Sequence, residues 1–283
     1  MNDLAEAWRY RALLLNFVRR DLRVRYKNSL LGFGWSLLNP LFQMLVYLFV
    51  FRYMWGAADP NYSVKLFVAM LPWLFFSQAL LDGAATVAQQ VAFLKKVYFP
   101  RILLPVSTLC SNFVHFLLGL SVLALFFALR QVTIAWPHMG LALVGFAIMA
   151  TFLFGLMLAA SAVSVYYNDV KFLLGTLVQM WFFLSPVLLP PDRALAGIAK
   201  TGLPAFVQTL YLLNPVAPPI IAYRTLIPHE GAPGTTNDYL VVMQGLVPNF
   251  MTYFAISGAV AVASLVVGFL VFRRLQPHFA EQG

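Results

Sequence analysis

Arg19, Arg20, Arg23, Arg25 and Lys27 crowd one short stretch, with Tyr26 among them, immediately before Gly32-Phe33-Gly34-Trp35-Ser36-Leu37-Leu38-Asn39-Pro40. Guanidinium groups grip phosphate oxygens through charge-assisted, often bidentate hydrogen bonds, and a tyrosine hydroxyl adds a neutral donor. A phosphate-bearing lipid could be held there. The same residues also suit a topology signal with generic attraction to anionic lipid, and residue types alone leave both readings standing. Two further stripes have chemical character. Gln43, Tyr47, Phe51 and Trp55 recur every four residues, and Thr176, Gln179, Phe183 and Pro186 form a similar row. Each lies on one helix face. Ring faces pack on the apolar sides of pyranoses while amides and hydroxyls meet their edges, so such rows suit a sugar path. They equally suit helix packing and an interfacial aromatic belt, as do Trp73, Phe75 and Phe76.

Other chemistry is missing from the sequence. No Gly-Lys dipeptide occurs, so the phosphate-cradling loop of nucleotide hydrolases is absent. His115, His138, His229 and His278 lie far apart, with no carboxylate or cysteine at metal-ligand spacing, and no metal site is expected. Gly32 and Gly34 carry no dinucleotide fingerprint and are expected to form an elbow. Asp82 and Asp169 fall at span ends, which disfavours a proton- or sodium-coupled carrier. Cys110 lies in an apolar run and is read as an inert core residue.

The elements that position these residues follow from composition. Of 283 residues, 61% are hydrophobic and only 10% charged, and the mean hydropathy is +0.79. So little charge cannot coat a globule in water, which excludes a soluble enzyme, a disordered tail and a nucleic-acid-binding domain. The net charge of +9 then reports loop bias in a membrane protein.

Six charge-poor runs reach spanning length, near Gly34–Gly56, Lys65–Leu81, Ile102–Leu129, Met139–Tyr167, Phe172–Pro190 and Leu246–Phe272. The second is the shortest. The third would make about 42 Å of helix against a bilayer core of about 30 Å, so it must tilt or project. Ala205–Ile227 contains Pro215, Pro218, Pro219 and Arg224 and is read as re-entrant or interfacial. Of the lysines and arginines, only Arg52, Lys65, Arg130, Arg193, Lys200 and Arg224 fall at outer ends, which puts both termini in the cytoplasm. No cleavable leader pattern precedes Gly34, so the first span is expected to be an uncleaved anchor.

The expectation is an all-α integral membrane protein of six transmembrane helices. Residues 1–33 form a cytoplasmic amphipathic interfacial helix, with Leu4, Trp8, Ala12, Leu15, Val18 and Leu22 as its apolar face. Residues 34–272 form the membrane domain, 191–248 an outer loop with re-entrant helices, and 273–283 a cytoplasmic tail. Within 82–101, Phe93, Leu94, Lys95, Lys96, Tyr98, Phe99 and Arg101 mix apolar and positive groups in the manner of a docking surface.

The Arg20–Pro40 stretch and the aromatic first span resemble the permease subunit of polysaccharide-exporting ABC transporters, the O-antigen and teichoic-acid exporter branch. Tyr167-Asn168-Asp169-Val170 running into Phe172–Gln179 and Ser185-Pro186-Val187 is similar to that family's hinge and fifth helix, although Asn168 stands where the family often has arginine. Asn214-Pro215 with Tyr223-Arg224 is similar to its outer re-entrant element, and Phe93–Arg101 falls where it has a coupling helix. The resemblance implies a homodimer in a bacterial inner membrane, paired with two copies of a separate nucleotide-binding ATPase that carries the ATP and Mg. This chain would then hold no cofactor. The cargo implied is an undecaprenyl-diphosphate-linked polysaccharide. Arg19, Arg20, Arg23, Arg25, Tyr26 and Lys27 would gather its diphosphate. Gln43, Tyr47, Phe51, Trp55, Thr176, Gln179 and Phe183 would line its channel. The 93–101 residues would press on the ATPase, with Asn168 and Asp169 a smaller contact. Competing expectations are a drug or small-lipid exporter of the same fold, which generally has a larger outer domain, and an integral-membrane polyprenyl-diphosphate glycan transferase, which would need clustered carboxylates or a histidine base.

Overall fold

The computed structural model describes residues 10–25, 27–50, 62–91, 99–201, 204, 206–227, 247 and 249–280. It is helical throughout, with no strand among the described residues. In chain order the helices are α1 (Arg11–Arg25), α2 (Trp35–Leu48), α3 (Tyr62–Thr86), α4 (Leu103–Arg130), α5 (Met139–Val163), α6 (Asp169–Phe183), α7 (Pro191–Lys200), α8 (Phe206–Leu213), α9 (Ala217–Arg224) and α10 (Phe250–Leu275). The helices containing α3, α4, α5 and α10 are long and apolar enough to cross a membrane.

The second apolar run is not the shortest helix. α3 has 25 residues, running through both Lys65 and Asp82, because Asp82 is paired with Arg25 and no longer marks an end. Nearly every side chain on α3 is buried, and it packs against α2, α4, α5, α6 and α9. Such all-round burial is expected of a helix enclosed by others. Trp73, Phe75 and Phe76 are therefore core residues. Phe76 stacks on Phe152 at 6.1 Å and meets Trp181 edge-on at 5.4 Å, while Phe75 leans on Phe116 and Phe146.

The fifth run also differs from expectation. α6 ends at Phe183, and residues 184–189 turn instead of continuing to Pro190. Its 15 residues make about 22 Å of helix. The third, fourth and sixth runs form α4, α5 and α10 within a few residues of the expected bounds.

α5 and α10 cross through glycine. A Cβ on Gly268 would strike the Gly155 carbonyl, and one on Gly155 would strike the backbone of Ser264 and Leu265. Small residues at such a crossing let two backbones approach, which is how helices associate where lipid removes the hydrophobic drive. Gly145 admits α9 in the same way, with Pro219 Cα 3.3 Å from where its Cβ would be.

Two further clusters close the ends. At the arginine-rich end, Phe17, Val87, Phe99, Ile102, Leu103, Leu158, Phe272 and Phe279 pack together. At the opposite end, Leu195, Leu212, Ile221, Phe250 and Phe254 do so. The face of α1 that packs on the other helices is Tyr10, Leu13, Leu14 and Phe17, whereas Leu15 of the Ala12–Leu15–Val18–Leu22 row is 54% exposed. Leu4 and Trp8 lie outside the described residues. Cys110 is half-buried.

Candidate functional site

The cation cluster divides into two groups. Arg20 donates to Asp21 Oδ1 at 2.9 and 3.2 Å and to Gln90 Oε1 at 2.8 Å, and its guanidinium lies 4.9 Å over the Phe17 ring. Arg25, at the end of α1, pairs with Asp82 of α3 and reaches Asn112 Oδ1 of α4 at 3.4 Å. These two bind α1 to the helices behind it. Arg19, Arg23 and Lys27 are exposed. Tyr26 lies outside the described residues.

The elbow between α1 and α2 is built on left-handed backbone. Asn28 has φ of 63° and Gly32 of 51°, a region that favours glycine and tolerates asparagine. The turn closes with Gly34 N–H donating to Leu31 O at 2.9 Å, and α2 starts at once.

Of the two stripes, Phe51 and Trp55 lie outside the described residues. Gln43 is exposed on α2, and Tyr47 is half-buried, stacking on Phe182 of α6 at 5.6 Å. On α6, Thr176 and Gln179 are exposed and Phe183 is 68% exposed. The Thr176 hydroxyl donates to its own helix at Phe172 O, 3.2 Å away. Gln43, Thr176, Gln179 and Phe183 thus face outward from the bundle, while the Tyr47–Phe182 contact joins the two helices. Pro186 is buried.

Phe93, Leu94, Lys95, Lys96 and Tyr98 lie outside the described residues. Phe99, which follows them, is 4% exposed, with its ring 5.4 Å from that of Phe17. Arg101 donates to Gln276 O and lies 5.7 Å from the Phe279 ring centroid. Both are anchoring contacts at the edge of the segment. Asn168 and Asp169 are exposed at the start of α6, on the same end of the bundle.

Sequence reasoning left Asn214 and Arg224 without a role that the structure supplies. Asn214 breaks the α8–α9 pair and uses its whole amide. Its Oδ1 accepts from Trp181 Nε1 at 2.8 Å and from Val216 N at 3.1 Å, and its Nδ2 donates to Leu184 O at 3.2 Å and Ser185 Oγ at 3.0 Å. Arg224 is 5% exposed and donates to Pro186 O at 2.9 Å and Val187 O at 2.7 Å. Together they fasten the turn after α6 to the α8–α9 pair. The sequence held one signal of this: an arginine inside an apolar, proline-rich run, which is costly to bury unless paired.

Four helices long and apolar enough to cross a membrane, two of them crossing at glycine, define a membrane-helix bundle, and the chain belongs to the ABC-2 type transporter family, whose model matches residues 13–227. It is 34% identical over 224 residues to the O-antigen export system permease protein RfbA of Myxococcus xanthus, covering 78% of this chain and 82% of that protein. An O-antigen export system permease protein RfbA of Klebsiella pneumoniae is 27% identical over 272 residues, covering 95% of this chain and 94% of its own length.

Proposed function

We propose that this chain is the transmembrane permease subunit of an ABC exporter that moves an undecaprenyl-diphosphate-linked, O-antigen-like polysaccharide across a bacterial cytoplasmic membrane. The carrying observation is the 34% identity to a permease named for O-antigen export, over most of both chains. In this reading α2 and α6 join the four long helices as spans, making six, with the arginine-rich end and both termini in the cytoplasm. The α8–α9 pair is then re-entrant from the outer side. Its break at Asn214 is consistent with this, since irregular backbone at membrane depth needs polar partners within the protein, which the Asn214 amide supplies.

The chain supplies a path and not an energy source. Two copies form the pore, and two copies of a separate ATPase dock beneath them on residues 93–101, with Asn168 and Asp169 as a second contact. The exposed cations Arg19, Arg23 and Lys27 gather the lipid diphosphate. Arg20 holds α1 in place, and Arg25 with Tyr26 completes the site. Gln43, Tyr47, Phe51, Trp55, Thr176, Gln179 and Phe183 face the glycan.

ATP binding draws the ATPase halves together and shifts the coupling segments, and the α2 and α6 walls part across the dimer axis. The partner biases a two-state equilibrium by no more than its differential affinity for the two states. Exposed aromatic and amide groups bind each sugar weakly enough to release it at the next cycle.

The test is reconstitution of the chain with and without its co-purified ATPase in vesicles loaded with undecaprenyl-diphosphate-linked glycan. Transfer that requires both the ATPase and ATP is expected. Transfer by the chain alone, or none of this cargo by the full complex, would sink the assignment.

A further inference from the structure

A cavity of about 410 Å³ opens among α2, α3 and α4, beside the cation cluster and apart from the outward stripes. This lies within the range of about 300–1,000 Å³ typical of small-molecule sites. Leu71, Phe75 and Phe116 wall it with apolar surface, while Asn39, Gln78 and Asn112 supply polar groups. Arg25 is the one guanidinium or ammonium among the lining residues, and Asp82 occupies it. Asn112 touches both, accepting from Arg25 through Oδ1 at 3.4 Å and donating through Nδ2 to Asp82 Oδ2 at 3.0 Å.

We propose that this cavity receives the phosphate end of a phosphate-bearing lipid, and that Asp82 is a displaceable counter-ion that Arg25 leaves when the phosphate arrives. This rests on the phosphate reading of the cation cluster and adds a receiving site behind it.

Three features support it. A lipid phosphate is an anion joined to an apolar chain, and the cavity offers a guanidinium together with aromatic and aliphatic walls. The Asp82 carboxylate already sits where phosphate oxygens would bind, so the guanidinium is held in place for an anion. When Arg25 turns away, Asp82 keeps a hydrogen bond from the Asn112 amide and stays half-exposed to water. Arg25 is also the last residue of α1, before the Asn28 and Gly32 elbow. By competing for the same guanidinium, Asp82 holds affinity down and favours release.

The test measures lipid binding to the purified chain by native mass spectrometry, titrating undecaprenyl diphosphate, dioleoylphosphatidylglycerol and undecaprenol. Asp82→Asn, an isosteric change, is expected to bind undecaprenyl diphosphate about threefold more tightly, the worth of a partly exposed ion pair. Arg25→Gln should bind it at least about tenfold more weakly. In the Arg25→Gln background Asp82→Asn should have no further effect. Gln78 is exposed, so Gln78→Trp narrows the cavity without touching the core, and it should also weaken binding.

No tightening on Asp82→Asn, in a chain that Arg25→Gln weakens, overturns the counter-ion role. Binding lost on Arg23→Glu yet untouched by Arg25→Gln and Gln78→Trp overturns the cavity and leaves the cluster reading intact. Indifference to all of these, or equal binding of undecaprenol, overturns both. Equal dependence on Arg25 and Asp82 for phosphatidylglycerol supports the cavity as a site for bulk phospholipid and overturns the carrier assignment there.

Discussion

The indole of Trp181 donates to Asn214 Oδ1 across 2.8 Å, fixing α6 to the break between α8 and α9. Asn214→Ala removes the acceptor and both Nδ2 donors at once, leaving Trp181 Nε1, Leu184 O and Val216 N to find other partners. A buried group without a partner costs about 1–3 kcal/mol. Purified Asn214→Ala should melt at lower temperature than wild type, and Asn214→Asp, which retains the acceptor, should fall between them.

Arg224→Met strips two donors from the carbonyls of Pro186 and Val187 in a buried turn, so it should lower the melting temperature more than loss of a surface cation does. Arg224→Lys should recover only part, because an ammonium does not reproduce the two-pronged fork. A melting temperature unchanged by Arg224→Met would mean that the turn is held by other contacts.

Gly268→Ala and Gly155→Ala should each prevent α5 and α10 from closing, since the added carbon meets backbone that cannot move aside. Protease sensitivity and a shifted gel-filtration peak would report the loss. Gly175→Ala, where nothing lies within 4 Å of the added carbon, serves as the control and should behave as wild type.

Two adjacent phenylalanines separate transport from stability. Phe183→Ala should slow ATP-driven glycan transfer in vesicles and leave the melting temperature alone, because the ring is already outside the bundle. Phe182 is 8% exposed between Tyr47 and Trp73, and its truncation should cost about 3 kcal/mol of stability. Full transfer activity in Phe183→Ala would reduce the α6 row to packing.

Lys95→Ala with Lys96→Ala should leave the chain inserted while export and ATP hydrolysis lose their link, read as hydrolysis without transfer in the reconstituted complex. Arg101→Ala should behave differently and lower the melting temperature too, since its guanidinium holds the end of α10 through Gln276 O and Phe279.

Much of the architecture was legible because a long run without charge suits a helix in lipid and little else. Gly32 likewise announced the elbow that its φ of 51° confirms. The rest was not legible in local pattern. Leu13, Leu14 and Phe17 form one apolar row on α1 and Ala12, Leu15, Val18 and Leu22 another, and periodicity cannot distinguish a row facing protein from one facing lipid. Asp82 passed for the end of the second run because its partner Arg25 stands 57 residues earlier. Arg224 passed for a topology signal for the same reason, its carbonyl partners lying 37 and 38 residues away. The cation cluster and stripes were visible as types, but which members point outward depends on such distant pairings.

Because α3 is packed around most of its circumference, opening only where Gln78 lines the cavity, it has little spare face on which an extra residue could be accommodated. One inserted residue would rotate everything beyond it by about 100° and replace each side chain that five neighbouring helices rest on. Length variation among relatives should therefore collect in the connections, and this helix should keep a constant residue count even where its amino acids change.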